Sequence, residues 1–223
     1  MKYVCHINSR AEYRVSAEMK HERIISCMKK VKGGLGIPPL TLCPFPGFKD
    51  HFTTFFNLKG KMEGISSGFI NYRIRNKLED KHSSDDRIYI DFSTKKVNIS
   101  HLVSAVHEFI DKFDAYLLFL YPDELAPIIN KNVPFEIKSR VNFRKDIDAI
   151  YPLQYMDKIL VQNVFDCEPL DLCIKLKKEV YNVELLKDGV FIQALGDYAT
   201  IADVFSFTAK MQELFGIQFP FIS

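Results

Sequence analysis

Residues 87–121, RIYIDFSTKKVNISHLVSAVHEFIDKFDAYLLFLY, carry the reading of the fold. Arg87-Ile88-Tyr89-Ile90-Asp91-Phe92 is rich in β-branched and aromatic residues and predicts a strand. Asn98 or Ser100 can cap a helix running to about Phe113, because a side-chain oxygen there accepts from an amide that has no partner within the helix. Ala115 to Tyr121 is then a wholly apolar run stopped by Pro122, as expected of a buried strand.

The same pattern returns downstream. Shifting Arg87–Ala115 by 102 residues lays it on Gly189–Ile217 without a gap. Ile88, Tyr89 and Ile90 fall on Val190, Phe191 and Ile192, Ile99 on Ile201, Phe109 on Met211 and Phe113 on Phe215. Identities are few. A duplication would produce this match, and so would the general need of a sheet face to be covered by a helix.

Working outward, residues 3 to 7 read as a short strand and Ser16–Lys32 as an amphipathic helix stopped by Gly33 and Gly34. Gly36–Gly47 holds Pro38, Pro39, Pro44 and Pro46, which withhold backbone donors, so an ordered loop is expected. His51–Leu58 reads as a strand, and Glu79–Asp86 as a polar loop. Tyr181–Leu186 and Val190–Leu195 flank Lys187-Asp188-Gly189, a hairpin signal because glycine tolerates positive φ. Thr200, with Asp203 three residues on, starts a last helix in a capping-box arrangement. The prediction is an α+β fold, an antiparallel sheet with helices packed on one face. It forms a single domain over 1–223, divisible into strand–helix lobes at 1–80 and 85–217.

Composition narrows the function classes. With 47% hydrophobic residues in a chain of 223, a substantial core can form. Nineteen Phe with no Trp point to an interior filled by rings that need no hydrogen-bond partner. Thirty Lys plus Arg against 28 Asp plus Glu leave no global field to mark a nucleic-acid or anionic-membrane binder. The five cysteines, Cys5, Cys27, Cys43, Cys167 and Cys173, nowhere form CxxC, which fits reduced thiols in a cytoplasmic setting. Polar Asn8, Ser9 and Arg10 interrupt the N-terminus before the apolar stretch of about 7–15 residues that export signals carry. No apolar run approaches the roughly 20 residues of a membrane-crossing helix.

Reacting groups are hard to find in the pattern. Gly33-Gly34-Leu35-Gly36 leads into Ile37-Pro38-Pro39 and not into a helix whose N-terminus could hold a phosphate. No GxSxG, HExxH or kinase signature is present. His101 and His107 share the predicted helix but lie about 120° apart around it, which suits joint metal ligation poorly. His107, Glu108 and Asp111 could form an acid/base cluster, yet such spacing is ordinary on solvated helices. The chain is therefore expected to be non-catalytic, with no cofactor and no metal.

Two charge features remain. Arg73, Arg75 and Lys77 beside Phe69 and Tyr72 could follow a phosphate backbone, although a solvated face explains them as well. Asp85 with Asp86, Asp123 with Glu124, and Asp166, Glu168 and Asp171 form acidic clusters near predicted turns, where they could engage a basic protein surface.

The run Val180-Tyr181-Asn182-Val183-Glu184-Leu185-Leu186-Lys187-Asp188-Gly189-Val190-Phe191-Ile192-Gln193, followed by a helix ending at Phe215-Gly216-Ile217, resembles the closing element of bacterial toxin-immunity proteins, the immunity protein 52 family in particular. Its upstream counterpart, Arg87–Tyr121, fits the same pattern, so the resemblance spans 85–217. It implies an α+β protein that neutralises a cognate toxin by occluding it, and it assigns no individual functional residue. The expected partner is thus a protein, a toxin domain, met in the cytoplasm with no membrane and no nucleic acid. The competing expectation is an enzyme acting on nucleic acid, or an accessory protein of a mobile element, working through Arg73–Lys77. An assembly subunit is a third.

Overall fold

The computed structural model describes residues 1–48, 52–76, 78–132 and 141–220. The chain is α+β with antiparallel strands, and it divides into two compact units, Met1–Ala115 and Tyr116–Ser223.

In the first unit, β1 (Lys2–Arg10), β2 (Thr53–Asn57), β3 (Ile65–Arg73) and β4 (Asp85–Ser93) form an antiparallel sheet in the order β2-β3-β4-β1. Tyr3, Cys5 and Ile7 of β1 lie opposite Phe92, Ile90 and Ile88 of β4, and Ile70 of β3 lies opposite Ile88, so one face of the sheet is continuously apolar and buried. Helices α1 (Ala17–Met28) and α2 (Ile99–Phe113) cover that face: His21 of α1 and Phe113 of α2 both meet the ring of Tyr72 on β3. Ser16 caps α1 and Asn98 caps α2, each side chain accepting from the amide three residues on. On the opposite face the rings of Phe55, Phe69, Tyr89 and His6 form a row across all four strands, with neighbouring centroids 5.1–5.6 Å apart. Burial, with Arg87 adding, pushes His6 down to about 4, so the imidazole stands in this row uncharged at neutral pH.

The proline-rich loop is ordered by side chains from the core. The His21 ring bridges the Cys43 carbonyl and the Tyr72 hydroxyl, 3.0 Å from each. A carbonyl can only accept, so Nε2 carries the proton and Nδ1 accepts from Tyr72. Just before the loop, Gly34 crosses Gly64, whose amide donates to the Gly34 carbonyl at 2.8 Å. A Cβ on either glycine would stand within 2.7 Å of the other's backbone. Two chains pass that closely only without side chains.

In the second unit, β5 (Ala115–Pro122), β6 (Leu153–Met156), β7 (Asn182–Leu186) and β8 (Gly189–Gln193) follow the order β5-β6-β8-β7. Among the described residues the helices here are α3 (Leu125–Asn132), α4 (Lys158–Phe165), α5 (Pro169–Leu176) and α6 (Ile201–Phe215). Met156, Val190 and Ile192 present one sheet face to Leu160 and Val161 of α4, Leu172 and Leu176 of α5, and Val204 and Met211 of α6. Thr208 of α6 donates to the Ile150 carbonyl at 2.7 Å and ties that helix to the chain entering β6. The expected capping box is formed, with Thr200 and Asp203 each receiving the other's amide.

The offset of 102 residues holds for the bounds of the observed strand–helix units. It maps α2, Ile99–Phe113, onto α6, Ile201–Phe215, end to end, and the cap Asn98 onto the cap Thr200. Strand β8 falls within the span of shifted β4, and each is followed by its helix. Both units contain strand, helix, strand, strand, helix in that order (β1-α1-β3-β4-α2 and β6-α4-β7-β8-α6), and in both the third strand lies between the other two.

Several local expectations are corrected. Helix α1 ends at Met28, not Lys32. The polar loop expected over Glu79–Asp86 contains a short 3-10 helix at His82–Ser84, and β4 already begins at Asp85. Positive φ in the β7–β8 hairpin falls on Lys187 and not on the glycine. Gly189 is needed for space, since a Cβ there would meet the Met156 carbonyl oxygen at 2.1 Å.

Candidate interaction surface

The predicted site residues have very different surroundings. Asp85 and Asp86 are buried in β4 and face no solvent. Asp86 receives Lys20 Nζ at 2.9 Å, Arg75 Nη2 at 2.7 Å and Nη1 at 2.8 Å, and the Arg73 amide at 2.9 Å. Burial alone would raise this carboxyl, but Lys20, Arg75 and the amide outweigh it and hold it below its ordinary value. Lys20 Nζ is shared with Ser9 Oγ at 2.6 Å and the Arg10 carbonyl at 3.2 Å. Asp86 is thus the centre of a buried network that fastens α1 and the end of β3 to β4. Arg75, expected as a phosphate contact, is committed to this network, and Tyr72 beside it is wholly buried. Lys77 lies outside the described residues.

Of the candidate acid/base cluster, Glu108 and Asp111 are exposed and His107 is half-buried on α2. Asp111 pairs with Lys112 at 2.6 Å on the exposed side of α2. Burial pushes the Cys5 thiol up to about 12 and Cys27 to about 11, and it raises Cys167 and Cys173 as well, which disfavours the thiolate at these four positions. Among the described residues, no three His, Cys, Asp or Glu side chains are grouped to hold a metal ion. Nor is any helix long and apolar enough to cross a membrane.

The remaining acidic residues do gather. Asp166, in the left-handed conformation, ends α4, Glu168 is the N-cap of α5, and Asp171 lies in its first turn. All three carboxylates act on the Cys167 thiol between them. Glu168 is tied to Lys158 Nζ at 2.9 Å and to Gln162 Nε2 at 2.7 Å, which links the start of α5 to α4. Asp166 and Asp171 are exposed and have no ion-pair partner among the described residues. Asp123 and Glu124 occupy a separate turn between β5 and α3.

Beside these carboxylates the corner is apolar. Leu170 and Ile174, one helical turn apart on α5, are 55% and 64% exposed. Helix α5 packs on β7, which is at the edge of its sheet, and Tyr181 and Leu185 are exposed there too. Pattern reading did not find this apolar part. The signal was present as Leu170 and Ile174 at i and i+4, alternating with the inward Leu172 and Leu176 on the same short helix.

No protein-family profile matches the chain, and no curated protein matches it. Among solved structures, the fold is similar to that of a type VI secretion system (T6SS) protein of Pseudomonas aeruginosa, PA0821, with a TM-score of 0.51 and 10% sequence identity. The similarity covers 96% of this chain and 72% of that protein.

Proposed function

We propose that the chain is a non-catalytic immunity protein of the cytoplasm, which neutralises a cognate antibacterial toxin by binding and occluding it. The observation that carries this reading is the corner of α4 and α5. Two exposed aliphatic side chains on one helix stand beside two carboxylates that have no ion-pair partner among the described residues. Apolar anchors desolvated at the centre of a patch, with charges at the rim, are the composition of a protein-binding surface. The carboxylates select a partner with a basic surface. The similarity in fold to a T6SS protein and the resemblance of residues 85–217 to the immunity protein 52 family are compatible with this reading.

The test is co-expression with the product of the gene adjacent to this chain's own, taken as the candidate toxin. The native chain is expected to protect cells and to co-purify with the toxin. Leu170→Ser with Ile174→Ser is expected to abolish both while leaving thermal stability unchanged, because neither side chain is buried. Continued lethality beside the native chain, with no complex formed, would sink the proposal.

A further inference from the structure

The two units carry opposite charge. Residues 1–115 hold 19 Lys plus Arg against 13 Asp plus Glu, a balance of +6, whereas residues 116–223 hold 11 against 15, a balance of −4. The overall value of +2 conceals this separation.

Part of the positive excess surrounds a trough of about 760 Å³ between α1 and α2. Small side chains line it, Ser26 and Cys27 on α1 and Ser104 and Ala105 on α2, with Cys27 and Ala105 buried as its floor. Long cationic side chains form the walls: Arg23, Lys30, Lys32 and Lys112. Lys112 is neutralised by Asp111. Arg23, Lys30 and Lys32 have no ion-pair partner among the described residues and are exposed. Lysines just past a helix C-terminus favour the helix dipole, which accounts for Lys30 and Lys32 in part. It does not account for Arg23, which lies within α1.

We infer that this trough is a second binding site, and that its ligand is an acidic helical segment of a partner protein. Three features favour a protein over a nucleic acid. The floor of small residues lets a third helix approach α1 and α2 closely, the geometry of helix-in-groove recognition. No Phe or Tyr lines the trough, so His101 is the one ring in its lining on which a base could stack, short of the succession of rings that single strands follow. Glu108 stands within the lining, where it would repel a continuous polyanion but can pair with a basic residue interspersed in an acidic helix. The site is separate from the α4–α5 corner and does not depend on the toxin reading.

The probe is a labelled 18-residue peptide with Glu along one side of an Ala/Leu helix, titrated into the full chain by fluorescence anisotropy. Saturable binding that weakens with added salt is expected, with NMR shifts at Cys27, His101 and Ala105. Lys30→Glu with Lys32→Glu should weaken it at least about tenfold, the loss expected when attractive rim charges become repulsive. Ser104→Trp should block it by filling the trough without altering charge, and circular dichroism would verify that both variants are folded. Leu170→Ser with Ile174→Ser should leave it unchanged, which separates this site from the toxin-binding corner. Absence of saturable binding at low salt would overturn the inference, as would equal affinity for the charge-reversed variant. Tighter binding of a 12-nucleotide single-stranded RNA at the same residues would overturn it in favour of nucleic acid.

Discussion

Replacing Asp86 by Ala removes one carboxylate and leaves two cations behind. Lys20 is enclosed with a side-chain exposure of 4%, whereas Arg75 retains 14% and can turn outward. The loss of one partner from a buried pair costs about 3–5 kcal/mol, mostly because the remaining charge is uncompensated. A domain of this size loses about 2–4 °C per kcal/mol, so the midpoint of thermal unfolding should fall by about 6–20 °C. Double replacement, Asp86→Leu with Lys20→Met, should recover most of that loss, since it removes the stranded charge along with its partner. The pH dependence has a definite sign. The folded-state value of Asp86 is depressed, so its contribution is complete above the unfolded value near pH 4 and disappears as pH falls through the folded value. Urea denaturation at pH 7 and at pH 3 reads both effects. A loss below about 1 kcal/mol at pH 7 would refute the reasoning, because exposed pairs behave that way and enclosed ones do not.

Asp148 has the opposite pH sign: burial pushes it up to about 7 despite hydrogen bonds that include one from Tyr151 at 3.3 Å. Its contribution is present below the unfolded value and is lost as pH rises from about 4 through 7, so Asp148→Asn should stabilise the protein at pH 8 and have little effect at pH 4, as checked by thermal unfolding at both. At the β7–β8 hairpin, Gly189→Ala should cost more than about 2 kcal/mol because the methyl group is driven into the backbone of Met156 and Asp157. Lys187→Gly should be neutral or stabilising by up to about 1 kcal/mol, since it relieves a positive φ. The reverse ranking in urea denaturation would restore the view that Gly189 is there for its dihedral freedom.

What the sequence disclosed was local. Strand β4, helix α2 and strand β5 are legible because apolar spacing, a capping side chain and a terminating proline all lie within 40 residues of one another. Strand β3 was not foreseen, because Gly64, Ser66, Ser67 and Gly68 dilute its β-forming residues, and its identity depends on β2 and β4 on either side. Helices α4 and α5, eight residues each, are too short to display helical periodicity clearly. The largest misplacement was Asp86. Two adjacent aspartates in a polar stretch have the local character of an exposed turn, and the Lys20 that draws Asp86 inward lies 66 residues earlier in the chain. The gathering of Asp166, Glu168 and Asp171 was legible because it needs only one helix-to-helix turn. The basic trough was not, because its walls come from helices about 80 residues apart.

The repeated arrangement gives the charge separation its meaning. At an offset of 102 residues the apolar positions of α2 and α6 correspond, so both units satisfy the same packing requirement in the same way. Packing does not constrain the exposed positions, and over all their residues the units diverge to balances of +6 and −4. If charge served only solubility, an even spread over both units would achieve it. Segregation instead gives each unit its own electrostatic preference, and electrostatic preference governs which partner is met and how fast more than how tightly it is held. Each unit should therefore favour a partner whose charge is opposite to its own. Charge reversal at the trough should slow association of the acidic peptide alone, and a toxin whose binding rate also changed would mean that the two surfaces recognise one ligand.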